Sequence, residues 1–174
     1  MIDQDDQRWQ DFVSAARQCI ETIDTASADL VETCAKLHGD LLELQLAAID
    51  LPEVTTDGSD PAMVTEAAHA DRNRLKEAFP IRYSMPDQVL ELSGAEPPVI
   101  REMSEDLADI YDELQDVLAL SEARYIDDAV FQARSGYVED WGFLVVSAQA
   151  ALWKYVAEAA IDAEDQATPD PDSN

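Results

Sequence analysis

Carboxylates at one-turn spacing are the residues of this chain best suited to chemistry. Glu102-x-x-Glu105, Asp106-x-x-Asp109 and Glu113-x-x-Asp116 each set two acids about one helical turn apart. A helix can hold magnesium or manganese in that way. Asp106, Asp109, Glu113 and Asp116 are therefore the candidate metal ligands, and Asp40 and Glu43 could face them from an earlier segment. The competing reading is a solvated acidic face. Most of these acids point away from the apolar side of their helix. Asp106 and Glu113 border that side, beside Val117 and Ile110. The solvated face is favoured, so no cofactor is expected, with magnesium or manganese as the runner-up.

Arg134 is the second candidate. It lies inside an apolar stripe, between Val130 and Val138. An arginine there snorkels to the rim, pairs with a buried carboxylate or binds an anion in a pocket. Asp106 or Asp109 is the expected partner. Trp141 and Trp153 are large enough to anchor a protein partner, although aromatics at helical spacing usually belong to a core. His38, His69, Cys19 and Cys34 are not spaced for zinc. No glycine-rich phosphate loop, nucleophile elbow or Ser-His-Asp pattern is present.

The elements that must position these residues are helical. Tyr125 to Ile161 has no proline and is the longest helical pattern. Val130, Tyr137, Val138, Trp141, Leu144, Val145, Ala148 and Leu152 share about 120° of its surface. Phe143, Val146, Ala150 and Trp153 form a second stripe on the far side, which other helices or a second subunit must cover. The two glycines, Gly136 and Gly142, leave the periodicity intact. A first helix is expected over 5–23 and a second over 28–48, capped near Asp24, Thr25 and Ser27 and closed by Pro52. Cys19 and Cys34 lie on their apolar sides and read as small core residues. A third helix is expected over 61–78 and a fourth over 98–122, whose apolar side includes Tyr111. Residues 80–98 carry four prolines and read as irregular, with a short helical turn over 86–92. Asp127 or Asp128 is expected to cap the last helix. The expectation is an all-α bundle of about five helices, framed by the two long C-terminal ones, in a single domain over 1–161. An acidic tail over 162–174 has nothing to bury.

Composition narrows the function classes. Thirty-eight acids face eleven bases, a formal net charge of −27. Such a surface repels phosphate backbones and anionic membranes. No nucleic-acid or membrane partner is expected, and no apolar run reaches the roughly 18 residues of a membrane span. The N-terminus lacks the apolar core of a secretory signal, and two cysteines make no disulfide framework. A cytoplasmic setting is expected. The charge itself fits adaptation to salt, a basic protein partner or a cation-holding cluster.

The run Asp106-Leu107-Ala108-Asp109-Ile110-Tyr111, followed by Arg134 and Trp141-Gly142, resembles the bacterial family called domain of unknown function 5063. Tyr83 and Pro86 fit its middle segment, and the likeness is clearest over residues 100–155. It implies a helical fold and no assigned activity. Members of that family often carry histidines flanking the Trp-Gly pair. Asp140 and Leu144 stand there in this chain, which argues against a metal or acid–base role at that spot. Asp106-Leu107-Ala108-Asp109 is also similar to the second acidic motif of all-α nucleotide pyrophosphohydrolases related to the MazG proteins. Those enzymes need a partner motif shortly upstream, and Asp40 to Glu43 lies much further away.

The sequence thus favours a non-enzymatic interaction module for an unidentified protein partner, a basic one being an option the charge leaves open, as it does self-association. Arg134, Asp106, Asp109, Tyr111, Trp141 and Trp153 are its candidate binding residues. A metal-dependent pyrophosphohydrolase and an acidic mimic of nucleic acid are the alternatives. Charge self-repulsion makes a first prediction: sodium chloride should raise the melting temperature. Magnesium or manganese at matched ionic strength should add nothing. An extra gain at low millimolar divalent ion, lost in Asp109→Asn, would instead reveal a metal site.

Overall fold

Aspartates open the first three helices of the computed structural model, which describes residues 6–55, 68–85 and 99–167. The Asp6 side chain accepts from the Arg8 backbone N–H at 3.0 Å, Asp29 from Glu32 at 3.0 Å and Asp71 from Arg74 at 3.1 Å. Each satisfies a donor that the first helical turn leaves free. They start α1 (Gln7–Asp24), α2 (Leu30–Asp50) and α3 (Arg72–Ala78). The expected cap of the second helix moves to Asp29, and Ser27 instead braces the Asp29 backbone. The third helix is seven residues long. Residues 68–71 are not helical, and the expected helix before them lies outside the described residues.

Helices α1 and α2 pair through Trp9, Phe12, Ala16, Cys19 and Ile23 on one side and Cys34, Leu37, Leu41, Leu44 and Ala48 on the other, all buried. Both cysteines are free and buried. Burial pushes the Cys34 thiol up to about 11, and Cys19 further still. Neither is a thiolate at neutral pH, which suits their use as small core residues.

A hairpin that the sequence reading missed follows. Strands β1 (Arg82–Met85) and β2 (Val99–Glu102) pair antiparallel, with Tyr83 opposite Arg101. Four-residue strands beside prolines carry too little alternation to be read. The turn expected over 86–92 lies outside the described residues. Because 99–102 is spent on β2, α4 runs from Met103 to Glu122 rather than from residue 98. It ends in a Schellman motif: Arg124 N–H bonds Ser121 O and Tyr125 N–H bonds Leu120 O, each at 3.0 Å. Arg124 takes the left-handed conformation (φ 68°) that glycine usually supplies there.

The single helix expected over 125–161 is two: α5 (Ile126–Glu139) and α6 (Trp141–Ala167). The chain breaks at Asp140, with φ −139° and ψ −87°. Here the glycines matter. A side chain at 142 would collide with the Tyr137 carbonyl oxygen, so only glycine permits this approach. A Cβ at 136 would lie 2.8 Å from Trp141 Nε1, so Trp141 packs directly over Gly136. The break turns Val138 outward, 75% exposed, although the unbroken pattern put it in the core stripe. Tyr125, not Asp127 or Asp128, occupies the cap position of α5; the aspartates sit in its first turn, where the helix dipole favours them. Helix α6 continues to Ala167, so residues 162–167 of the expected tail are helical.

Among the described residues six helices and the hairpin make an all-α bundle. Helix α6 lies at its centre, packed on α2, α4 and α5 through Trp141, Leu144, Val145, Ala148 and Leu152. By length and composition alone, Trp141–Ala163 is apolar enough to cross a membrane, which corrects the expectation that no segment meets that test.

The break generates a paired prediction. Gly142→Ala should destabilise the fold by about 1–3 kcal/mol through overpacking. Gly39→Ala adds a Cβ that meets nothing within 4 Å and should stabilise α2 by up to about 1 kcal/mol. Urea unfolding followed by circular dichroism measures both, and equal effects would refute this account of the break.

Candidate functional site

The hairpin exists to deliver two side chains to α4. Directly paired residues on neighbouring strands present their side chains to the same face, so Tyr83 and Arg101 arrive together. Asp106, in the first turn of α4, is fully buried between them. Arg101 Nε donates to Asp106 Oδ1 at 2.8 Å, and a second guanidinium nitrogen reaches the same oxygen. The Tyr83 hydroxyl donates to Oδ2. Both carboxylate oxygens are therefore engaged. Burial and the neighbouring carboxylate push the Tyr83 hydroxyl well above its ordinary range, and the Asp106 bonds raise Arg101. The guanidinium also lies 5.8 Å from the centre of the Phe143 ring, a cation–π distance. This links the hairpin, α4 and α6. Removing one partner of such a buried pair costs on the order of 3–5 kcal/mol.

The next acids on α4 meet a different cation. Arg72 of α3 reaches Glu105 and Asp109 at 2.9 Å each and Asp112 at 3.2 Å. Asp112 also accepts the Ala70 N–H at 2.7 Å. The acidic face thus straps α3 to α4. Asp106 and Asp109, one turn apart, serve two different arginines rather than one cation site.

Glu113 and Asp116 lie further along. Burial raises the pKa of both, and Asp140 and Asp116 raise Glu113 further. The Glu113 carboxylate borders the Gly136 backbone beside Trp141. Trp141 packs edge-on to Tyr137 at 5.1 Å and tilted on Phe12 at 6.5 Å. It is a core residue, and its buried Nε1 has no hydrogen-bond partner among the described residues. Asp40 is on another interface, where it accepts from Thr22 of α1 while Lys36 donates to the same hydroxyl. Among the described residues no group of three or more His, Cys, Asp or Glu is arranged to hold a metal ion.

Arg134 meets neither Asp106 nor Asp109. It donates to the Leu51 carbonyl, at the C-cap of α2, and reaches Glu53 at 3.3 Å. A cation at a helix C-terminus complements the dipole, so this arginine ties α5 to the end of α2. Tyr111 is buried, with its hydroxyl 3.3 Å from Asp24 Oδ2. Of the named candidates, Asp109 joins the exposed Arg72 cluster and Asp106 the buried clamp. Its companions Arg101 and Phe143 were missed as site residues. Their meeting depends on strand register and on the α5–α6 break.

Trp153 behaves differently from all of these. It is 64% exposed, and Phe143 and Val146 are each at least half exposed. Together with Ala150, Ala157 and Ala160 they recur at alternating intervals of three and four residues along α6. That is the spacing of a coiled-coil seam. No acid falls between Trp141 and Ala157, and Lys154 is the one charge there.

An all-α bundle with a hairpin locked on by a buried arginine–carboxylate clamp, and an apolar seam of α6 left open, is what the described residues define. The chain belongs to the family described as Domain of unknown function (DUF5063), whose model matches residues 4–158. The crystal structure of protein BF1032 from Bacteroides fragilis is similar, with a TM-score of 0.68 at 21% identity, over 86% of this chain and 92% of that one. At that identity the likeness shows the fold alone. No curated protein matches the chain significantly.

Glu113 supplies a pH prediction. Its folded pKa lies above the ordinary 4.5, so the folded state holds this proton more tightly than the unfolded state. The associated stability is complete below 4.5 and is lost as pH rises through the folded value. Glu113→Gln should therefore melt a few degrees higher than the parent at pH 7, and the gain should vanish near pH 4. A gain that persists at pH 4 would refute the electrostatic origin.

Proposed function

We propose that this protein is a non-enzymatic interaction module that captures an amphipathic helix with basic flanks from a partner protein. The exposed seam of α6 is the observation that carries this reading. A run of apolar side chains at coiled-coil spacing, open to solvent, is an unfilled packing surface. Trp153 and Phe143 are its anchors, since large aromatics dominate the energetics of such surfaces.

Charge selects the partner. From Phe143 to Ala157 the seam is free of acids, whereas Glu139 and Asp140 precede it and Glu158 and Asp162 flank its far end. The whole chain carries −27. A helix with an apolar stripe and lysine or arginine flanks satisfies both regions at once, and opposite charge speeds its encounter. The acids of α4 support this reading by what already occupies them: Asp106 is committed to Arg101 and Tyr83, and Asp109 to Arg72.

A synthetic helix with leucine at the seam positions and lysine on its flanks is the probe, with tryptophan fluorescence as the readout. Binding should shift the emission to the blue, weaken with sodium chloride and fall at least tenfold in Trp153→Asp. A scrambled peptide of equal charge should not bind. Equal binding of the scrambled peptide would mark a charge-only mimic and overturn docking on the seam, as would an unaffected Trp153→Asp.

A further inference from the structure

Helix α2 carries a second apolar line on the side away from the core. Ala35, Gly39, Leu42, Leu46 and Ile49 recur at intervals of four, three, four and three, and all five are exposed. Leu46 is 68% and Ile49 59% exposed. The core stripe of the same helix, through Cys34, Leu37, Leu41, Leu44 and Ala48, faces the opposite way. Gly39 is unexplained within the chain. It sits mid-helix, where glycine is unfavourable, and nothing lies near the place of its missing Cβ.

The charges beside this line are ordered. Lys36, Glu43 and Asp50 follow one another at seven-residue intervals along the flank nearer α1, and all are exposed. Beside them Arg8, Asp11, Glu43, Leu46 and Asp50 border an open groove of about 540 Å³ between α1 and α2. An antiparallel pair sets this flank against the same flank of the other copy, so Lys36 and Asp50, two turns either side of Glu43, are complementary there; Glu32, one turn before Lys36, lies beyond the apolar line. Lys36 of each copy then approaches Asp50 of the other, whereas a parallel pair would set this flank against the opposite one, which carries His38 and Gln45 and offers Lys36 no acid.

We propose that α2 is a self-association face through which two copies of this chain pair antiparallel. In the register set by the spacing, Leu42 packs against Leu46 of the second copy and Gly39 lies opposite its Ile49. The small residue makes the hole that the large one fills, as in knobs-into-holes packing. That supplies the reason for a glycine at 39. The two Glu43 carboxylates come near the symmetry axis and are the one like-charge pair on the flank. Two chains of −27 repel at long range, so pairing strengthens as salt screens that repulsion. This is opposite in sign to the salt response of a basic partner on α6, and the face uses none of the α6 residues.

Sedimentation equilibrium of the full chain, at low and at high sodium chloride, tests the proposal. The parent protein should show a concentration-dependent dimer that tightens with salt. Leu46→Glu should weaken it at least tenfold with an unchanged circular dichroism spectrum, since the side chain is exposed. Lys36→Glu should weaken it, and Lys36→Glu with Asp50→Lys should restore it, an outcome that mere misfolding of the single variant does not produce. A parent protein that stays monomeric at all salt concentrations overturns the proposal. So does a dimer indifferent to Leu46→Glu. A dimer abolished instead by Trp153→Asp places the second copy on α6 and overturns both this proposal and the basic partner assigned to that seam.

Discussion

The burial of the Asp106 carboxylate is the constraint around which the hairpin, α4 and α6 are arranged. A charge removed from water is tolerated only when its partners are close and its lone pairs are filled. Here one oxygen takes the Arg101 guanidinium and the other the Tyr83 hydroxyl. Those two partners are neighbours only because Tyr83 and Arg101 face each other in the hairpin register. The same guanidinium then lies against Phe143, at the start of α6. Two four-residue strands would have little reason to stay paired in isolation. The buried acid supplies it.

A second constraint acts at Asp140. If α5 and α6 were one helix, Val138 and Trp141 would share a face. The break instead turns Val138 to water and sends Trp141 into the core over Gly136. Gly142 allows the backbone to come against the Tyr137 carbonyl. From that point α6 runs between its neighbours with one face covered and the other open beyond the Arg101 contact at Phe143. The open seam follows from where the helix restarts as much as from which residues it contains.

The acidic character has two separate physical consequences. Part of it is consumed inside the fold, where Arg72 gathers Glu105, Asp109 and Asp112 and thereby holds α3 to α4. Exposed pairs of this kind are individually weak, but three acids around one cation restrict where α3 can lie. Others, such as Asp11, Glu43 and Asp50, face solvent, and the net charge sets the long-range field. Against that field the acid-free stretch of α6 is a local exception.

The sequence by itself determined that the chain is a helical bundle, because the apolar periodicities of α1, α2, α4 and α6 are local and repeat over several turns. It also identified the family likeness, through Asp106 to Tyr111, Arg134 and Trp141-Gly142, and the second stripe through Phe143 and Trp153. Tertiary structure decided what those residues do. Whether Asp106 belongs to a cation site or a buried ion pair depends on Arg101, which reaches it through strand pairing that has no strong local pattern. Whether Arg134 meets an acid on α4 or the end of α2 depends on helix packing. The break at Asp140 was illegible because a helical period survives across it in the sequence, while the steric reason for it lies in the approach of Gly142 to a carbonyl five residues earlier. Exposure, finally, is a property of the assembled bundle: periodicity reveals that a helix has two apolar faces, and only packing shows which one is left without a neighbour.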